Sequence, residues 1–245
     1  MSTATGQGAD TADDGGASPA MHERVLEAVG VAIASGSLPP GSRLTLEGLQ
    51  QEYGISRTVA RDTMKVLESM NLVYSRRRVG IVVQEPGLWN VFDPKLVRWR
   101  LTSDRRELQY SSLTELRIAV EPIAAAGAAR RASAAERARL VALAAELRRL
   151  GKAGDLESFL AADIEFHRLL LHSCGNEMFA SLDGMVAEVL TSRTQQGLMP
   201  FKPRNEALQA HEDVAAAVAR GDAVMAEAAI HRILNEVRTA MGLGG

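Results

Sequence analysis

Large apolar residues recur every three or four positions between residues 22 and 35, at Val25, Leu26, Val29 and Ile33. This spacing predicts one buried helix face. Pro39-Pro40-Gly41 then forces a turn. Thr45 is placed to cap a short second helix carrying Leu46, Leu49 and Tyr53, which Gly54 ends. Ser56 caps a third, in which Val59, Thr63, Val66, Leu67 and Met70 form the inward side. After Asn71 the period changes. Leu72-Val73-Tyr74 and Ile81-Val82-Val83 read as two short strands joined through Arg76-Arg77-Arg78 and Gly80. Helix, turn, helix and hairpin over residues 21–85 predict a winged helix-turn-helix.

Residues 86–103 carry Pro86, Gly87 and Pro94 but also both tryptophans, Trp89 and Trp99. They read as a linker that either docks on a domain or second subunit, or packs as a surface loop. From 104 to 242 the pattern is helical and rich in Ala, Leu, Glu and Arg. Helices are expected near 105–110, 112–131, 134–150, 155–173, 177–196, 205–219 and 222–241, with glycine-marked breaks between most of them. The expected fold is therefore mainly α: an N-terminal winged helix-turn-helix followed by a C-terminal antiparallel α-helical bundle.

Composition adds limits. Residues 1–20 have almost no large apolar side chain and read as a disordered tail. The chain of 245 residues has a formal net charge of only −2, so nucleic-acid binding must be argued from where charges sit. Cys174 is the sole cysteine, which rules out a disulfide framework within the chain and suits a reducing cytoplasm. Nothing in the sequence is apolar enough to span a bilayer, and the N-terminus lacks the pattern of a signal peptide.

The third helix has the placement that matters. Arg57, Arg61 and Lys65 recur every four residues and share one face, opposite the apolar side. Such a helix fits a major groove, where arginine forks reach guanine edges or phosphates. Arg76, Arg77 and Arg78 at the hairpin tip would reach the DNA backbone or the adjoining minor groove. In the helical half, Asp163 and His167 are four apart on a helix face flanked by Leu160, Ile164, Leu170 and Leu171. His211 and His231 lie on later helices. A carboxylate and imidazoles turned into a bundle need partners. Two arrangements satisfy them: an Asp–His hydrogen bond in a metal-free core, or a divalent ion such as zinc, nickel or manganese.

Gly54-Ile55-Ser56-Arg57-Thr58-Val59-Ala60-Arg61, Leu67-Glu68-x-x-Asn71-Leu72-Val73 and the wing glycine Gly80 resemble the winged helix of the GntR family of bacterial transcription regulators. The resemblance implies that Arg57 and Arg61 contact bases or phosphates, that Thr58 supports them, and that Gly80 lets the wing approach the groove. Glu47 departs from the pattern, because many relatives carry an arginine there. The helical half resembles the ligand-sensing domain of the FadR branch, the FCD type, through Glu115-Leu116-Arg117, Glu121-Pro122, Asp163-Ile164-Glu165-Phe166-His167 and the His211-to-Gly221-Asp222 spacing. It implies a divalent metal, zinc foremost, on Asp163, His167 and His211. The fourth ligand position of the pattern holds Ile233, and His231 lies about 200° around the helix from it at 3.6 residues per turn.

Within that branch, Trp89-Asn90-x-x-Asp93-Pro94, Val97-x-Arg-Trp99 and the missing fourth histidine are most similar to the galactonate-operon group, whose effectors are sugar acids. Arg117 and Arg193 are the candidates for the acid's carboxylate. From the residues alone, Arg117 could nearly as well pair with Glu121 at i+4, and Arg193 is the weaker candidate, better read as a surface residue. The expected function is a homodimeric repressor that reads a palindromic operator in double-stranded DNA and is released by a sugar acid. Two other readings stand beside it: a metal-dependent enzyme with a DNA-binding head, since three ligands and an open position also suit catalytic zinc, and an architectural DNA binder without a ligand.

Overall fold

The computed structural model describes residues 18–240 and residue 242, and the chain divides into two compact units, residues 1–90 and 91–245. Most of the tail expected over residues 1–20 lies outside the described residues, but residues 18–20 already belong to the first helix.

The first unit begins with α1 (Ser18–Ser35), whose Val25, Leu26, Val29 and Ile33 are each 1% exposed, on the face that their spacing predicted. α2 (Leu46–Tyr53) starts at Thr45, whose hydroxyl accepts the Gly48 N–H at 3.0 Å, and stops at Gly54 in the left-handed region. α3 (Arg57–Ser69) starts at Ser56, whose hydroxyl accepts the Val59 N–H at 3.3 Å. Val59, Ala60, Thr63, Met64 and Leu67 are buried on its inner side, and α1 and α2 pack against it. The wing is β2 (Val73–Arg76) and β3 (Gly80–Val83), antiparallel, with Tyr74 opposite Val82.

A third strand, β1 (Arg43–Leu44), pairs with the other edge of β3, giving the order β1-β3-β2. Two residues are too few to show an alternation, so this strand left no sequence signal. It explains Gly80 locally. Gly80 sits at φ 101°, and a Cβ there would stand 3.1 Å from the Leu44 carbonyl oxygen, so the close pairing with β1 requires glycine.

Residues 86–103, read as a linker, are ordered and split between the units. Trp89 is 8% exposed and its indole N–H donates to the Gln84 carbonyl at 2.9 Å, while the Asn90 N–H donates to Met70. In the second unit Asp93 caps α4 (Pro94–Leu101), whose Leu96, Val97, Trp99 and Leu101 are fully buried. The rest of that unit is α5 (Arg106–Arg131), α6 (Ala134–Ala153), α7 (Leu156–Ser173), the short α8 (Glu177–Ala180), α9 (Asp183–Gln195), α10 (Asn205–Arg220) and α11 (Ala223–Ala240).

Two expected boundaries differ. The pair expected at 105–110 and 112–131 is one helix, because Tyr110 and Leu113 stay buried on a single face and Ser112 turns its hydroxyl back onto the Leu108 carbonyl. The single helix expected at 177–196 is two, because Ser181 bonds back to Met178 and closes a short turn before α9 begins.

α5 is the spine of the bundle. Ala124, Ala125, Ala128 and Ala129 are fully buried on it, and these small side chains let α7, α10 and α11 pack close. Leu140, Leu143, Leu147, Phe166, Val214, Val218, Ile230 and Leu234 fill the layer beside them. Burying each such side chain stabilises the fold by roughly 1.5–3 kcal/mol.

Candidate nucleic-acid interface and metal centre

In the first unit α2, α3 and the wing enclose a concave surface lined by Glu47, Arg57, Arg61, Lys65, Arg76, Arg77 and Gly80. Five of the expected DNA-contacting cations are therefore brought together. Thr58 and Arg78 are exposed but do not line this concavity. Arg78 occupies the turn of the wing at φ 64°, a left-handed conformation uncommon for a side chain of its size. Glu47 is not a bystander: its Oε1 lies 3.4 Å from Arg57 Nη1, with both side chains well exposed. An exposed pair of this kind adds little stability. Its consequence is positional, because a carboxylate holds one of the two arginines at the head of α3.

In the second unit one turn of α7 places Asp163 and His167 side by side, and α10 brings His211 to them. All three are buried, at 7%, 2% and 4% exposure, and their ligand atoms lie within 4.8 Å of one another. The sequence did not reveal Glu121 on α5 as the partner of His167. Its Oε2 accepts from His167 Nδ1 at 2.7 Å, and Arg117 Nε donates to its Oε1 at 2.5 Å. Arg117 thus has the intrahelical partner that was one of its two expected settings. His211 Nδ1 donates to the Ala207 carbonyl at 2.7 Å. Both imidazoles meet Phe166 in T-shaped contacts.

These hydrogen bonds fix the tautomers. With both Nδ1 atoms donating, each neutral ring turns an Nε2 lone pair toward Asp163 Oδ1, at 3.5 Å for His167 and 3.2 Å for His211. Lone pairs facing a carboxylate call for a cation between them. A proton on each ring is one solution, and a divalent ion is the other. Backing each ligating histidine with an acceptor on its second nitrogen is how metal-binding imidazoles are oriented. The donor set of one carboxylate and two imidazoles fits a divalent ion such as zinc.

Electrostatics reinforce the cluster. Burial alone would raise the pKa of Glu121, but the Arg117 and His167 charges and hydrogen bonds outweigh it and lower the value to about 2. Burial opposes ionisation of Asp163 too, and His211 and His167 outweigh it, again giving about 2. Burial disfavours a charge on His211, yet Asp163 raises its pKa above the ordinary value.

A cavity of about 330 Å³ opens beside this cluster. Arg117, Asp163, His167 and His211 line it, together with Arg193 from α9 and Ile233 from α11. Arg193 is buried, at 7% exposure, rather than on the surface, and its Nε is buried without a hydrogen-bond partner. Burial and the nearby Arg117 lower its pKa. His231 is not among the converging ligands and does not line the cavity. Ile233 on the same helix does, so the cluster has three candidate ligands among the described residues. Glu165 sits at the surface paired with Arg139, and Cys174 is buried with its thiol on the Leu171 carbonyl. Neither supplies a base or nucleophile to the site.

A winged head with a basic concave face, joined in one chain to a helical domain enclosing an Asp-His-His group beside a cavity, defines a class: a DNA-binding transcription regulator with a separate regulatory domain. Residues 21–83 match the model for bacterial regulatory proteins of the gntR family, and residues 112–236 match the FCD domain. The chain belongs to the GntR family of transcription regulators, FCD type. Its relatives are regulators and not enzymes. It is 29% identical over 221 residues to the galactonate operon transcriptional repressor of Escherichia coli, spanning 88% of this chain and 95% of that one. It is 26% identical to the regulator LutR of Bacillus subtilis, spanning 85% and 95%. Among solved structures, the Listeria monocytogenes regulator Lar superposes with a TM-score of 0.56 at 18% identity, over 91% of this chain and 97% of that one. Escherichia coli McbR/YncC does so with a TM-score of 0.50 at 18% identity, with the same coverage. Among the described residues no helix is long and apolar enough to cross a membrane.

Proposed function

We propose that the protein is a homodimeric repressor whose grip on a palindromic operator is weakened by a small organic acid. The acid binds in the α5–α11 cavity beside a divalent ion, zinc foremost, held by Asp163, His167 and His211. The observation that carries this reading is the pair of Nε2 atoms turned onto Asp163 Oδ1 next to a cavity lined by Arg193, whose Nε has no hydrogen-bond partner. A divalent ion supplies Lewis acidity there and an attachment point for an anion. The chain's own residues do the rest. Glu121 and the Ala207 carbonyl orient the two imidazoles. Arg193, itself buried, presents a donor to a carboxylate, and a charge-assisted bond of this kind is strong. Phe166 packs against both imidazoles and holds their rings in place.

The DNA-reading residues in this proposal are Arg57, Arg61, Lys65, Arg76 and Arg77, with Thr58 and Arg78 as flanking contacts. Two heads reading one palindrome give a steep dependence on their fit to the operator. The acid needs only to bind the operator-incompetent form more tightly to shift the balance. The relative named as the galactonate operon repressor supports the repressor reading and makes sugar acids the first class to compare. The test is elemental analysis of the purified protein together with thermal shift against a panel of organic acids, with and without chelator. Bound divalent metal and an acid-dependent shift that chelation removes are expected. Absence of both would leave only the DNA-binding half of the proposal.

A further inference from the structure

The cavity beside the Asp163 cluster has a lopsided chemistry. Its ionisable lining is the Asp163 cluster with Arg117, Arg193, Arg204 and Glu236, and Arg193 interacts electrostatically with Arg117, Asp163 and Glu236. The other walls are Phe159, Leu190, Met199, Ile233 and Val237, capped by Pro200 and Pro203. Among the described residues, no serine, threonine, asparagine, glutamine or tyrosine lines the cavity. Its volume of about 330 Å³ is at the small end of the range for small-molecule pockets, roughly 300–1,000 Å³.

We infer that the ligand is an amphiphilic monocarboxylate, with an aliphatic or aromatic body of four to eight carbons, and not a polyhydroxylated sugar acid. This rests on the sensor reading above and narrows it. Each hydroxyl of a polyol brings a donor and an acceptor that must be matched once water is excluded. Among the described lining side chains, such groups belong to Arg117, Arg193, the Asp163 cluster, Arg204 and Glu236. A hydroxyl held against Phe159, Leu190, Ile233 or Val237 loses its water and gains no partner. A methylene in the same place gains contact and loses nothing. The carboxylate goes to the Arg193 end, where a buried Nε lacks an acceptor. An oxygen substituent on the carbon next to it lies close enough to share that polar end, so 2-hydroxy acids are accommodated, while further hydroxyls along the chain are not.

Isothermal titration of the full-length, zinc-loaded protein separates the outcomes. The probes are 2-hydroxyhexanoate and hexanoate, gluconate and galactonate as polyol acids, and hexanol as the body without the charge. At least one of the two aliphatic acids should bind about tenfold or more tighter than either sugar acid, and hexanol should bind far more weakly than both. Ile233→Thr, which keeps the β-branch, shortens the side chain by one carbon and adds a hydroxyl to the wall, should narrow that gap while leaving zinc content unchanged. Gluconate or galactonate binding as tightly as the aliphatic acids overturns the inference and leaves the acid-sensor reading standing. Hexanol binding as well as hexanoate overturns the carboxylate assignment. Binding by none of the acids overturns the inference and the sensor reading together.

Discussion

His167 Nδ1 and Glu121 Oε2 stand 2.7 Å apart across two helices, and this bond decides which nitrogen of His167 faces Asp163. Glu121 is itself held by Arg117 one turn earlier on α5. A guanidinium, a carboxylate and an imidazole thus run in series from the helix spine to the candidate metal position. Glu121→Gln keeps the shape of the chain but removes the charge that sets the imidazole's orientation. It should lower metal affinity by about 10–100-fold, the usual effect of losing such a partner. Competition with a chromophoric chelator measures it, and unchanged affinity would mean that His167 does not ligate through Nε2. Glu121→Ala is the harsher change. It leaves Arg117 buried without its partner and should destabilise the second unit by about 3–5 kcal/mol.

Arg57 and Arg61 share the concave face of the head with Lys65, Arg76 and Arg77. Arg57→Ala and Arg61→Ala should each weaken operator binding by about 1–3 kcal/mol and relax preference at one base of each half-site. Lys65→Ala should weaken binding to all sequences alike and reduce the salt dependence, as loss of a phosphate contact does. Fluorescence anisotropy with operator and scrambled duplexes at several salt concentrations distinguishes the two patterns. Equal loss on both duplexes for the arginines would assign them to the backbone.

Glu47 makes a separate prediction. Its carboxylate sits 3.4 Å from Arg57 and lines the same concavity, so it both repels phosphate and restrains the arginine. Glu47→Gln should raise affinity for scrambled DNA and reduce discrimination between operator and scrambled sequence. Improved binding to both duplexes in equal measure would show that the restraint on Arg57 has no part in readout.

Packing around the spine is tested at Gly127. A Cβ there would stand 2.7 Å from the Cys174 carbonyl oxygen, a backbone atom that cannot swing away. Alanine is the better helix former by about 1 kcal/mol, but the overlap is of the kind that costs about 1–3 kcal/mol. Gly127→Ala should therefore lower the melting temperature of the protein. A raised melting temperature would show that α5 and the end of α7 are less tightly apposed.

Features set by neighbours in sequence were legible before the structure. Thr45, Gly54 and Ser56 announce the ends of α2 and α3, and the apolar faces of α1 and α3 follow from spacing alone. Asp163 and His167 were legible as a pair because one helical turn separates them. Contacts between distant segments were not. Glu121 meets His167 across 46 positions, and the sequence offered one hint, an Arg-Glu pair on a helix face that continues as buried alanine. Arg193 looked like a surface residue because nothing local says that the 197–204 loop and α11 bring walls of the cavity to it. β1 was invisible because its strand character comes entirely from pairing with β3. Ile233 in place of a histidine was legible from the family pattern, and only the fold shows that it becomes a wall of the cavity.

The account stands or falls on whether an acid bound at the Asp163 cluster changes DNA affinity. The decisive measurement is operator binding by zinc-loaded wild type and His167→Ala, with and without whichever of 2-hydroxyhexanoate and gluconate binds more tightly. The acid should weaken operator binding by wild type by about 5–150-fold, the span of ordinary coupling between sites. His167→Ala should bind the operator in the absence of acid as wild type does, and should not respond to it. An acid that binds wild type but leaves operator affinity unchanged, or a His167→Ala protein that responds in full, would contradict the account.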